Sequence, residues 1–338
     1  MSASLLDIGD LSVTIDTGAG PLRAVQNVSL RVEKGETFCI VGESGCGKSI
    51  TALSLMGLMP KRARRTAERI LFDGTDLLGL GERGMRRLRG SRMSMIFQEP
   101  MTSLNPVFTI GQQLTDVMRT HRRVALAEAR ERAIFLLNKV GITNAKERLS
   151  QYPHELSGGL RQRVMIAMAL MCGPDLMIAD EPTTALDVTI QAELLRLLRD
   201  LQQEFEMGLV LITHDLGIVS RIADRVAVMY AGQVVEHGTA GEIFGNPLHP
   251  YTQGLIACIP SRDHPRMQHL PSIPGTVPSL IGELKGCHFR ERCPYAMPAC
   301  LEQINLTADD ASHPYRCILP KHEASANANV TQREQQHA

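Results

Sequence analysis

Apolar runs of four or five residues punctuate this 338-residue chain, and amphipathic stretches separate most of them. Thr37-Phe38-Cys39-Ile40-Val41, Met93-Ser94-Met95-Ile96-Phe97, Leu176-Met177-Ile178-Ala179, Leu209-Val210-Leu211-Ile212 and Ala227-Val228-Met229-Tyr230 each read as a buried strand, since a short continuous apolar segment fills a position covered on both faces. Residues 111–149 set Leu114, Val117, Met118, Ala133, Leu136, Leu137 and Val140 at helical spacing. A helix is predicted over 162–171, stopped by Gly173-Pro174, and an amphipathic one over 190–205. Strand and helix alternate through 93–230, which predicts a mostly parallel sheet. The first 41 residues read instead as alternating strands, 11–15 and 25–32, around a turn at 17–21. Prolines recur from Pro247 to Pro278, the pattern of a surface linker, and 322–338 is polar enough to be disordered. No internal repeat is present.

The strand 37–41 runs into Gly42-Glu43-Ser44-Gly45-Cys46-Gly47-Lys48-Ser49, and a helix closed by Gly57 follows. This is the G-x-x-x-x-G-K-S phosphate loop in its required strand–loop–helix setting. Glycines let the backbone aim N–H groups at phosphate oxygens, and the helix start adds a positive dipole end. Lys48 is expected at the β- and γ-phosphates and the Ser49 hydroxyl on Mg²⁺. The expected ATP-binding set is Gly42, Glu43, Ser44, Gly45, Cys46, Gly47, Lys48, Ser49 and Ile50.

The fold class that follows is α/β. It has a P-loop NTPase core, an antiparallel β subdomain, a helical subdomain at about 107–172, and a small Cys-rich C-terminal extension. The expected boundaries are 1–245 for the nucleotide-binding domain, 246–320 for the extension and 321–338 for the tail.

Composition narrows the partners. Formal net charge is zero, tryptophan is absent and aromatics are 4%, which argues against a nucleic-acid surface. No apolar run approaches the roughly 20 residues of a spanning helix, and the acidic N-terminus is no signal peptide. The basic stretch 58–92 interleaves Glu68, Asp73, Asp76 and Glu82 with its arginines and reads as a solvated face; contact with anionic headgroups is the minor alternative.

Further candidate chemistry lies at strand ends. The strand 176–179 ends in Asp180-Glu181, where one carboxylate can serve the Mg²⁺ shell and the next can orient or deprotonate the attacking water. Gln98 ends the strand 93–97 and His214 follows the strand 209–212. An amide there can reach Mg²⁺ or water, and an imidazole can reach the γ-phosphate. Ser157-Gly158-Gly159 opens a helix, which makes a second anion site by the physics of the phosphate loop.

Taken in order, Gly42–Ser49, Gln98, Leu156–Gly159, Asp180-Glu181, Ala185-Leu186-Asp187 and His214 resemble the motifs of ATP-binding-cassette ATPases over residues 5–260. The resemblance implies that Ser157, Gly158, Gly159 and Gln162 complete the nucleotide site of an opposing subunit. It implies that Glu181 is the catalytic carboxylate, His214 the γ-phosphate sensor and Asp187 part of a loop crossing the dimer interface. Ser49, Gln98 and Asp180 are then the Mg²⁺ ligands. The segments 97–106, 179–189 and 249–253, with the tail Cys287…Cys293-Pro294…Cys300…Cys317, resemble the ATPase subunits of di- and oligopeptide importers more narrowly.

That branch implies a second ATPase subunit, two transmembrane permease subunits, an extracytoplasmic solute-binding protein acting indirectly, and a place on the cytoplasmic face of the inner membrane. Two departures stand out. Ile15 occupies the position where an aromatic stacks on adenine, and Cys46 replaces a serine, adding an oxidation liability. Cys287, Cys293, Cys300 and Cys317 are spaced by five, six and sixteen residues. Four thiolates suit a 4Fe-4S cluster or zinc, and the absence of tight C-x-x-C pairs favours the cluster; no metal is the third alternative. The rival functions are a soluble cassette ATPase acting on ribosome or DNA, and an iron–sulfur redox protein with an accessory nucleotide site.

Overall fold

The computed structural model describes residues 4–98, 103–183, 187–259, 272–306 and 313–320. In chain order its elements are β1 (Leu6–Thr17), β2 (Gly20–Val32), β3 (Thr37–Val41), α1 (Lys48–Leu55), β4 (Ala63–Thr66), β5 (Arg69–Phe72), β6 (Thr75–Asp76), α2 (Glu82–Leu88) and β7 (Met93–Ile96). They continue with α3 (Ile110–His121), α4 (Leu126–Lys139), α5 (Ala145–Arg148), α6 (Gly158–Ala169), β8 (Leu176–Asp180), α7 (Val188–Phe205), β9 (Gly208–Ile212), α8 (Leu216–Ile222), β10 (Arg225–Tyr230), β11 (Gln233–Thr239), α9 (Ala240–Gly245) and α10 (Pro250–Ala257). They fall into two compact units that the chain enters repeatedly: Met1–Leu6, Arg31–Thr37 and Leu71–Ile212, then Asp7–Leu30, Phe38–Ile70 and Thr213–Ala338.

In the first unit β7, β8 and β9 run parallel, with Met93 opposite Leu176 and Leu176 opposite Gly208. Every residue of β8 and β9 is buried, which is why they read as unbroken apolar runs. The predicted helical insert consists of α3, α4 and α5. Thr109 and Gln112 form a capping box at α3, and Leu114, Met118, Ala133, Leu136 and Leu137 are buried. Helix α6 starts four residues earlier than predicted, so the glycine pair lies within its first turn and Ser157 is its N-cap.

The basic stretch is more than a solvated face. Arg92 bonds Asp73 at 2.7 Å and Asp175 at 2.6 Å, and Arg89 bonds Glu82 at 2.7 Å. The hydrogen bond from Arg92 holds Asp73 below the usual carboxylate range.

In the second unit β4 pairs antiparallel with β1, Ser12 opposite Thr66, an antiparallel piece longer than the two predicted strands. Residues 38–41 of β3 pair parallel with β10, Phe38 opposite Arg225. β10 folds back into β11, a strand the apolar pattern did not announce, through Ala231 and Gly232, both at positive φ. The proline-rich stretch is not all surface linker. Pro250 opens α10, and His249 accepts the Tyr251 backbone N–H at 3.0 Å. Burial pushes His249 down to about 3, so its ring stays neutral and can accept.

Buried Glu236 ties three separate stretches of this unit together. Its carboxylate accepts Leu248 N–H and His249 N–H at 2.8 Å each, and pairs with His313 Nε2 at 2.7 Å. Removing it leaves three buried donors without their acceptor. Glu236→Ala is expected to cost about 3 kcal/mol. Urea denaturation checks this, through a lower midpoint at an unchanged slope.

Candidate nucleotide site

The phosphate loop belongs to the second unit. Two of its glycines are required by close backbone approach. A Cβ at Gly42 (φ +150°) would stand 2.2 Å from the Met229 carbonyl oxygen, and one at Gly47 (φ +104°) 2.3 Å from that of Ala24. No L side chain adopts such φ values without strain. Gly47 precedes the first turn of α1, the end of a helix whose N–H groups and dipole suit an anion. Buried Lys48 donates from Nζ to the carbonyls of Gly42 at 2.8 Å and Glu43 at 3.0 Å. The turn closes with Cys46 N–H on the Glu43 carbonyl at 3.3 Å. Ser44 and Gly45 are exposed, while Ser49 and Ile50 are half-buried.

Cys46 is fully buried and burial pushes its thiol up. The oxidation liability expected from the sequence is therefore corrected, because neither exposure nor thiolate character is present. Two residues that motif reading missed hold Glu43. Tyr251 Oη accepts the Glu43 N–H at 2.9 Å, and Arg292 binds its carboxylate with both terminal nitrogens, at 2.8 and 3.1 Å. Their only sequence signal is proximity to the C-terminal motifs, 208 and 249 residues away.

In the same unit His214 is exposed in the bend between β9 and α8. Next to it Asp215 caps α8, accepting Ile218 N–H at 3.2 Å. Ile15 is half-buried on β1, opposite Ala63 of β4.

The first unit holds the other candidates. Asp180 is buried at the end of β8. Glu181 turns to φ +44°, a left-handed conformation uncommon for a non-glycine residue, and its N–H donates to the Ile212 carbonyl at 2.9 Å. That turn sends the two neighbouring carboxylates different ways. Gln98, exposed just beyond β7, donates from Nε2 to Glu181 Oε2 at 2.9 Å. The structure thus brings these two candidates together, 83 residues apart.

Ser157 is exposed and caps α6 through its hydroxyl, which accepts Leu160 N–H at 3.4 Å. Space is open where a Cβ would stand on Gly158. Gln162 lies elsewhere: it is fully buried and donates to the Pro182 carbonyl, tying the signature helix to the segment after Glu181. Asp187 is exposed at the start of α7, whereas Ala185 and Leu186 lie outside the described residues. So do residues 99–102.

Cys287, Cys293, Cys300 and Cys317 line one small cavity with Phe289 and Ile304. Burial above all, and then the neighbouring sulfurs, pushes Cys293 and Cys317 up to about 11. Among the described residues, however, no three His, Cys, Asp or Glu side chains are gathered as ligands of a metal ion. The metal centre expected from the cysteine spacing is therefore not shown: the four thiols line one cavity without the close packing that one tetrahedral ion imposes at metal–sulfur distances of about 2.3 Å.

Sequence and structure comparisons agree with this geometry. A family model described as "ABC transporter" matches residues 25–184, and one described as "Oligopeptide/dipeptide transporter, C-terminal region" matches 235–300. The chain is 49% identical over 317 residues to the dipeptide transport ATP-binding protein DppD of Bacillus subtilis, covering 93% of this chain and 94% of that one. It is 47% identical over 319 residues to the oligopeptide transport ATP-binding protein OppD of Salmonella typhimurium, covering 94% and 95%. A solved ATP-binding cassette, dimeric and bound to ADP and Pi, superposes with a TM-score of 0.63 at 26% identity, covering 70% of this chain and 98% of that one.

The chain belongs to the ATP-binding-cassette family of transporter ATPases. Its C-terminal match and its curated relatives put it in the peptide-importer branch. The ribosome, DNA and redox alternatives find no support there.

Cys46 supplies a direct check on the loop. In the native protein at pH 8 it should alkylate at least about a hundredfold more slowly than an exposed thiol, since both access and thiolate fraction are reduced. Peptide mapping after timed labelling reads this rate.

Proposed function

We propose that this chain is the ATP-hydrolysing subunit of a peptide importer and that its phosphate loop holds the nucleotide. The observation that carries the proposal is the phosphate loop, held open by Gly42 and Gly47 with Lys48 buried beneath it. Family membership supports the rest. Lys48 takes the β- and γ-phosphate charge, and the N–H groups from Ser44 to Ser49 take the phosphate oxygens. Ser157, Gly158 and Gly159 complete the nucleotide site of an opposing subunit through the first turn of α6. Gln162 serves behind them, as the link to Pro182. Asp187 belongs to the subunit interface. The adenine rests on the aliphatic side chain of Ile15.

Ser49, Asp180 and Gln98 offer a hydroxyl, a carboxylate and an amide oxygen, a hard-oxygen donor set that fits Mg²⁺. Mg²⁺ supplies charge neutralisation at the phosphates when bound. Glu181 takes the proton of the attacking water as its oxygen bonds the γ-phosphorus and the bond to the β-phosphate oxygen breaks. Gln98, bonded to Glu181 Oε2, orients that carboxylate, and His214 donates to the γ-phosphate.

The coupling partners are two transmembrane permease subunits and a second ATPase chain, fed by a solute-binding protein, at the cytoplasmic face of the inner membrane. Exposed Phe97, Val107 and Phe108 around Gln98 support a permease contact, with Val107 69% exposed. Among the described residues no helix is long and apolar enough to cross a membrane.

The finer reading of the cysteines is a 4Fe-4S cluster. A cubane takes one thiolate on each of four irons and so accepts sulfurs standing farther apart than a single ion does. The convergence of all four on one cavity supports it.

Glu181→Gln is expected to bind ATP normally and lose at least about a hundredfold in kcat. Lys48→Ala should weaken ATP binding by at least about tenfold. Turnover assays and equilibrium nucleotide binding check the pair. Anaerobically purified protein should be brown and contain about four irons and four sulfides per chain, values that stoichiometric zinc in a colourless sample would exclude.

A further inference from the structure

Arg292 stands immediately before Cys293, yet its side chain is only 5% exposed and turned toward the phosphate loop. A guanidinium has five N–H donors, and this one has five acceptors. Nε donates to the Pro274 carbonyl at 2.9 Å. Nη1 donates to Glu43 Oε2 at 2.8 Å and to Tyr230 Oη at 3.3 Å. Nη2 donates to Glu43 Oε1 at 3.1 Å and to the Ile273 carbonyl at 3.1 Å. The side chain is fully specified, and its grip on Glu43 is bidentate, the geometry that fixes direction as well as distance.

Glu43 is held a second way through its backbone N–H on Tyr251 Oη, and Tyr251 packs against Tyr230 and Phe289 with ring centroids 4.6 and 5.4 Å away. The Glu43 carbonyl in turn receives Cys46 N–H and Lys48 Nζ. Its N–H and carbonyl are thereby fixed by the C-terminal region and the loop's own turn, and its carboxylate by the Arg292 pair. Side chains that hold Glu43 also set the peptide plane that follows it, and that plane carries the N–H of exposed Ser44, next to exposed Gly45. Groups oriented before the ligand arrives cost it no ordering.

We propose that Arg292 is a positioning residue of the phosphate loop: by clamping Glu43 it keeps the loop set for ATP, so that the cysteine-bearing C-terminal region controls nucleotide affinity from its own side of the loop. The proposal rests on the reading of that loop as the ATP site. It assigns a task to the C-terminal region that concerns ATP binding and not the transported peptide.

The test measures equilibrium ATP binding by the full chain. Arg292→Gln and Glu43→Gln are each expected to raise the dissociation constant about tenfold, the worth of one charge-assisted bidentate contact. The double variant should lose no more than about twentyfold, because both substitutions cut the same contact. Losses that multiply toward a hundredfold would show two independent effects and overturn the clamp. Arg292→Lys keeps the charge but cannot make the two-pronged grip on Glu43, so it should recover only part of the loss and bind between Arg292→Gln and wild type. A lysine variant with full wild-type affinity would show that charge alone suffices and overturn the bidentate clamp.

Glu43→Gln leaves the other three bonds of Arg292 in place and carries the test if Arg292→Gln does not fold. Lys48→Ala separates the two levels. If it binds ATP like wild type, the nucleotide reading falls and the clamp with it. If it loses ATP while Glu43→Gln and Arg292→Gln keep wild-type affinity, only the clamp falls.

Discussion

A backbone that must touch phosphate cannot carry side chains where it passes its own supports. Gly42 and Gly47 run within van der Waals reach of the Met229 and Ala24 carbonyls, and a single methyl group at either would collide with peptide oxygen. That contact fixes the loop against β10 and β2. Everything assigned to the loop follows from it: the exposure of Ser44 and Gly45, the burial of Lys48 and Cys46, and the open first turn of α1. The glycine motif is at once a packing solution and a binding site.

The end of β8 obeys a different constraint. Asp180 ends buried β8 with its carboxylate inside, and the backbone turns left-handed at Glu181 immediately after it. Strain of this kind persists only where neighbours hold it. Here the Ile212 carbonyl takes the Glu181 N–H and the Gln98 amide takes its carboxylate, while Gln162 and Gln191 bond the carbonyls of Pro182 and Thr183 just beyond. The signature helix and the carboxylate are thus mechanically connected inside one unit, which suits a protein whose nucleotide state must be felt by a partner.

The C-terminal region reads as an appendage in sequence and behaves as part of the nucleotide unit. Its aromatic cluster of Tyr230, Tyr251 and Phe289 packs beside the loop. Glu236 binds its entry helix and its last described segment to β11. Buried polar groups of this kind are expensive unless every partner is present, so this region is built to keep one arrangement.

Local patterns were enough for what local patterns encode. Unbroken apolar runs marked the strands that are covered on both faces, and G-x-x-x-x-G-K-S, Asp180-Glu181 and Ser157-Gly158-Gly159 marked the chemistry, because backbone geometry confines those residue types to fixed spacings. The order of these motifs was sufficient to identify the family. Short strands of mixed polarity such as β4, β6 and β11 escaped notice, since two to seven such residues carry no clear period. The register of the Gly–Ser signature within α6 was misjudged for a related reason: glycine has low helix propensity, and only the Ser157 cap shows that the helix begins there.

Contacts between distant positions were beyond the reach of any pattern. The Gln98–Glu181 bond, the inward turn of Gln162, and the grip of Arg292 and Tyr251 on Glu43 join residues from 20 to 249 positions apart. Spacing along a chain carries no information about such pairs. The sequence by itself determined which groups could meet a nucleotide, and tertiary packing decided which of them are held in place and by what.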